Sequence, residues 1–155
     1  QLWVSDITYL RLAKGFCYLA LITDVYSRKV IGYDVRDTLE LEGALNALKM
    51  ALKRKRTNKQ TIHHSDRGIQ YCSDKYTQKL QAHQIQISMG EAGNCYENAL
   101  AERVNGILKS EFNLDATFQD LAKAQKSVHQ AIHAYNSLRP HMAIQMRKPN
   151  ELYAA

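Results

Sequence analysis

The run Phe16 to Tyr26, FCYLALITDVY, sets the strongest limit on the fold. It is a nearly continuous apolar run, and a strand of that kind must be covered on both faces. Residues 2 to 10, rich in Val, Ile, Trp and Tyr, read as a strand before it, with a turn at Lys14-Gly15. A second turn, Ser27-Arg28-Lys29, leads into VIGYDVRD, a third strand. Strands joined by such short turns predict an antiparallel meander.

The rest of the chain alternates. Thr38 is placed to cap a helix whose Leu41, Ala44, Leu45, Leu48 and Leu52 recur at helical spacing. Glu40 and Glu42 at its start and Lys53-Arg54-Lys55-Arg56 at its end suit the helix dipole. That basic run reads either as a solvated helix end or as a phosphate contact. A fourth strand over 60 to 65 ends at Asp66, and Arg67-Gly68 breaks it. Ser73 caps a short helix to about His83, and Ile85 to Ser88 reads as a fifth strand. Met89 to Asn94 reads as a flexible loop. A long helix comes next, from about Cys95 to Phe112. Thr117 with Asp120 resembles a capping box for a last helix to about Asn136, and the tail with Pro140 and Pro149 reads as irregular. The expected fold is α/β: a five-stranded mixed sheet, made of a three-strand antiparallel meander plus two further strands, with helices on both faces.

A chain of 155 residues fits one domain with a real core, here residues 1–155. Gln1 is not a natural start, so the chain reads as cut from something longer. The net charge of +6 favours an anionic partner, nucleic acid first. Cys17, Cys72 and Cys95 are widely spaced and lack CxxC, which suits reduced thiols in a cytoplasmic protein. No run is long and apolar enough to span a bilayer, so no membrane partner is expected.

Three carboxylates on separate elements are what a hard divalent cation needs. Asp66 ends a strand beside a glycine, and Glu102 lies on the long helix. Asp6, Asp24 and Asp34 all sit in strands, and strand position alone does not choose among them. On the long helix Asn98, Glu102, Asn105 and Lys109 form one polar stripe. Tyr96, Leu100, Val104, Ile107 and Leu108 form an apolar stripe that can face the sheet. His63 and His64 are adjacent on a strand, so they point to opposite faces and suit structural roles.

The segments WVSDITYL, YLALITDVYSRKVIGYDV, HHSDRGIQY, SMGEAGNCYENALAERVNGILKSE and YNSLRPH occur in this order. Together they resemble the catalytic core of bacterial insertion-sequence transposases of the retroviral-integrase type, the DDE superfamily. The resemblance implies a ribonuclease H-like fold. It implies a catalytic and metal-binding triad of Asp6, Asp66 and Glu102, with Asp24 a structural residue. It implies Lys109 as a DNA contact, with Asn98, Asn105 and Arg103 as further DNA-binding candidates beside it. Glu97 stands where an Asp is usual, Ile69 where a Ser is common, and Arg103 where a small polar residue comes after the glutamate. The resemblance implies a helix-turn-helix region upstream of the core, which is not among residues 1–155.

The resemblance further implies Mg2+-dependent DNA cleavage and strand transfer at transposon ends, with Mn2+ as substitute and two ions in the site. Transposon-end and target DNA would be the partners, in a homo-oligomer, in the bacterial cytoplasm at the nucleoid. Two other functions share some of these features. One is a ribonuclease H-like nuclease that only hydrolyses. The other is a catalytically silent DNA-binding or assembly module.

Overall fold

The computed structural model describes residues 1–90 and 98–154. The meander forms as expected: β1 (Leu2–Leu12), β2 (Phe16–Asp24) and β3 (Val30–Arg36) pair antiparallel in sequence. β4 (Thr61–Ser65) then adds parallel to β1, and β5 (Ile85–Met89) parallel to β4. The order is β3-β2-β1-β4-β5. A sixth strand that the sequence did not announce, β6 (Thr117–Phe118), pairs with the end of β1 at Arg11 and Leu12.

Both faces are covered, as the apolar β2 demands. On one face α1 (Leu41–Arg54) and α2 (Asp74–Ala82) pack on Trp3, Ala20, Ile22 and Ile31. At Gly32 a Cβ atom would lie 2.1 Å from the Ala47 carbonyl oxygen of α1, so only glycine allows that approach. On the other face α3 (Ala99–Glu111) and α4 (Leu121–Leu138) pack on Leu10, Leu19, Leu21 and Val35. Val104 and Leu108 of the expected apolar stripe are buried there; Tyr96 and most of the Met89–Asn94 loop lie outside the described residues.

Three local expectations are corrected. The cap of α1 is Glu40, not Thr38, and it makes no side-chain cap bond. Leu39 offers its carbonyl to the Gln70 amide instead, which holds this segment extended. The cap of α4 is Asp120 alone, accepting from the Lys123 N–H at 2.9 Å, because Thr117 is drawn into β6. The tail is not irregular: it forms a 3-10 turn at Met142–Ile144 and α5 (Pro149–Ala154).

The YNSLRPH stretch ties the α4 end to the sheet. β3 is an edge strand, and the Asn136 side chain satisfies its first residue. Val30 N–H donates to Asn136 Oδ1 at 3.0 Å, and Asn136 Nδ2 donates to the Val30 oxygen at 3.0 Å. Tyr135 Oη donates to the Arg28 oxygen, and Arg139 grips Glu111 of α3 through both carboxylate oxygens. Among the described residues, no helix is long and apolar enough to cross a membrane. Cys17 and Cys72 are free thiols.

Candidate active site

β4 pairs with β1 only from Leu2 to Val4. From Ser5 to Leu10 that edge of β1 has no strand partner, and the chain leaving β4 turns away at Asp66. In parallel pairings the crevice beyond a strand's carboxyl end is where a fold can place polar groups without breaking its ladder. Asp6 sits beside this opening, on the face covered by α3. The Asn105 amide of α3 donates to Asp6 Oδ2 at 2.7 Å.

Asp66 is exposed and held by its own turn. Its Oδ1 accepts the Gly68 N–H at 2.8 Å. A Cβ on Gly68 would lie 2.9 Å from that same oxygen, so a larger residue there would push the carboxylate aside. Glu102 lies exposed in the first turn of α3. A cavity of about 240 Å³ is lined by Asp6, Thr8, Tyr9, Tyr18, Asp66 and Tyr71, among others.

Asp6 feels its surroundings strongly. Burial raises the Asp6 carboxyl to about 6. The Ile7 N–H opposes this, Asp66 and Glu102 add to it, and Asn105 again opposes it. Tyr71, fully buried behind them, is pushed up by burial first, then by Tyr76, Asp6 and Asp66. The described residues contain no three His, Cys, Asp or Glu side chains gathered tightly enough to hold an ion as they stand. The donor set nonetheless suits a hard divalent cation. It is all carboxylate oxygen, and the repulsion from Asp66 and Glu102 that adds to burial in raising Asp6 is what such a cation would relieve.

The other expected residues divide. Lys109 reaches this side: its Nζ donates to Thr8 Oγ1 at 2.9 Å and lies 4.9 Å from the Tyr9 ring centroid. Asn105 is buried and turned to Asp6, and its amide oxygen has no partner among the described residues. Asn98 precedes α3 without a side-chain cap bond. Arg103 points elsewhere, into a cavity with Arg28, Tyr135 and Arg139. Thr8 was missed in the sequence, although its spacing of two from Asp6 puts it on the same strand face.

Asp24 and Asp34 serve the scaffold. Asp24 is buried and accepts from the Ser27 N–H, the Ser27 hydroxyl and the Gln1 amide. Asp34 accepts from Arg36 and Asn46. The two histidines face opposite ways. His63 Nε2 meets the Ser5 and Tyr76 hydroxyls at 2.6 and 2.8 Å, while His64 Nδ1 meets Ser88. Burial depresses His63 to about 4, so it stays neutral at pH 7 and acts as a packed polar post.

A mixed sheet clad on both faces, with acids from a mid-strand, a strand end and a helix, defines an integrase-type core. The chain belongs to the integrase core domain family. One model of that family matches residues 1–95, and a second, also described as an integrase core domain, matches residues 83–149. The transposase for insertion sequence element IS629 of Shigella sonnei is 37% identical over 139 residues, covering 90% of this chain and 47% of that protein. Transposase InsF for insertion sequence IS3A of Escherichia coli K12 is 43% identical over 111 residues, covering 72% of this chain and 38% of that protein. The chain therefore spans about half the length of these relatives. Among solved structures, a chain of the simian T-cell lymphotropic virus intasome, in complex with the PP2A regulatory subunit B56 gamma, superposes with a TM-score of 0.83 at 19% identity. The match covers all of this chain and 54% of that one. The HTLV-2 integrase catalytic core domain, solved with magnesium in a dimeric form, gives 0.76 at 19% identity, covering 99% of this chain and 95% of that one. At that identity these likenesses speak for the ribonuclease H-like fold alone.

Proposed function

We propose that the chain is the catalytic core of an insertion-sequence transposase that cleaves DNA at transposon ends and joins the freed end to a target. The observation that carries the reading is the cavity lined by both Asp6 and Asp66, with the charge of Glu102 on α3 also acting on Asp6. Asp6, Asp66 and Glu102 would hold divalent metal, two Mg2+ ions or Mn2+ in their place. When bound, the metal would activate water or a DNA 3′-hydroxyl and stabilise the leaving 3′-oxygen.

The chain's own residues supply the rest. Asn105 fixes the Asp6 carboxylate, and the Gly68 N–H fixes that of Asp66. Lys109 presents an ammonium at the Thr8 side of the site, where a DNA phosphate can replace the hydroxyl as its partner. Asn98, at the start of α3, and Arg103, turned away from the acids, are assigned to DNA outside the acid cleft. On this reading the chain works as a homo-oligomer on DNA, in the cytoplasm at the nucleoid.

Nicking and joining of supercoiled plasmid in Mn2+ test the reading. Wild type should convert plasmid to nicked and joined products. Asp66→Asn should lose both, with an unchanged circular dichroism spectrum. Undiminished products from Asp66→Asn would refute the triad. Nicked product without joined product would favour a nuclease that only hydrolyses.

A further inference from the structure

A second concave site lies at the outer edge of the sheet. It is a cavity of about 380 Å³ enclosed by β3, the C-terminal end of α1, α4 and α5. Lys29, Lys53, Arg54 and Arg56 bring four cationic side chains to it, and His129 and His133 face them from α4. Among the described residues no carboxylate lines it. Asp24 acts electrostatically on Tyr153 nearby, but its oxygens are occupied by Gln1 and Ser27. Burial, then the charges of Arg54 and Arg56, lower the Lys29 pKa, as expected where like charges gather without an anion. Elsewhere some arginines are ion-paired: Arg11 with Asp115, Arg36 with Asp34 and Arg139 with Glu111.

We propose that this cavity is a binding site for a DNA phosphodiester, separate from the one in the acid cleft. The inference rests on the transposase reading and extends it to a second DNA contact. The lining selects phosphate over base. Lys29 Nζ covers the Tyr153 ring at 4.6 Å from its centroid, and Tyr33 Oη is bonded to His129 Nδ1 at 2.6 Å. Lys29 thus takes a face of Tyr153, and Arg54 gives one N–H to the Ile31 oxygen at 3.3 Å, while Lys53 and Arg56 have no carboxylate partner among the described residues. Tyr153 Oη donates to the Arg54 oxygen at 2.7 Å and fixes the α1 end in place. Tyr33 pairs with Leu21, which pairs with Asp6. The site is thus two strands from β1, about 10 Å at the usual strand spacing, and its phosphate is not the scissile one. The basic run after α1, open to two readings in the sequence, is here a phosphate contact.

The test compares wild type, Lys53→Gln/Arg56→Gln and Lys75→Gln/Lys79→Gln. The first pair sits at the exposed rim of the cavity, and the second removes equal charge from α2. Affinity for a duplex is measured by anisotropy from low to moderate salt, with plasmid nicking on the same samples. The log–log salt slope should fall by about one in the rim variant, the loss of a phosphate contact, and stay at the wild-type value in the α2 variant. Equal slopes in both variants, with nicking intact, would overturn this site and leave the transposase reading standing. Absence of nicking and of DNA binding in wild type would instead remove the reading beneath it. Calorimetry with inorganic phosphate separates the sources. Binding of free phosphate lost in the rim variant, with an unchanged DNA slope, would make this a free-phosphate site and overturn the DNA assignment.

Discussion

In the absence of a cation, burial together with the charges of Asp66 and Glu102 holds the Asp6 carboxyl at about 6, against 3.8 for an unhindered one. A carboxyl raised on folding adds stability that is complete below pH 3.8 and lost as pH rises through about 6. At pH 7.5 the difference amounts to about 3 kcal/mol of native-state strain on the charged form, at roughly 1.4 kcal/mol per pKa unit. Asp6→Asn in chelator should therefore be more stable than wild type by up to about 3 kcal/mol at pH 7.5, and the gain should vanish near pH 4. Urea denaturation at the two pH values checks this; a gain independent of pH would mean that charge is not its source. The candidate residues were legible because their types and order recur in a family. What the sequence hid was contact: nothing local says that the Asn105 amide reaches Asp6 across the interface, or that Arg103 turns away from the acids.

Elements were legible where periodicity is strong and blurred where a distant partner decides. The strands of the meander and the apolar stripe of α3 fell where pattern placed them. The starts of α1 and α4 did not, because Gln70 holds Leu39 extended and β1 recruits Thr117. The tail looked irregular because its order comes from long-range bonds. Asn136 is the clearest of these, capping both backbone groups of Val30 on an edge strand. Asn136→Ala should cost about 2–4 kcal/mol, since a buried N–H and carbonyl lose their partner together. Equilibrium unfolding measures it, and a loss below about 0.5 kcal/mol, the lower bound for a single net hydrogen bond, would contradict the clamp.

At the scale of the whole molecule, one sheet topology explains why Asp6 and Asp66, so far apart in sequence, line one cavity. β4 stops short along β1, leaving Asp6 at an open edge. Asp66 stands at that gap, and the charge of Glu102 on α3 acts on Asp6. The class of fold could be read from one buried strand and the α/β alternation after it. The second, basic cavity could not, because its cations come from a turn and a helix end on opposite sides of β3. The most direct test of the three acids as one centre is calorimetric titration of Mn2+ into wild type and Asp66→Asn, alone and with duplex DNA. A single centre predicts binding by wild type, alone or once DNA is present, that Asp66→Asn loses. Equal binding by both proteins, or none by wild type even with DNA, would contradict it.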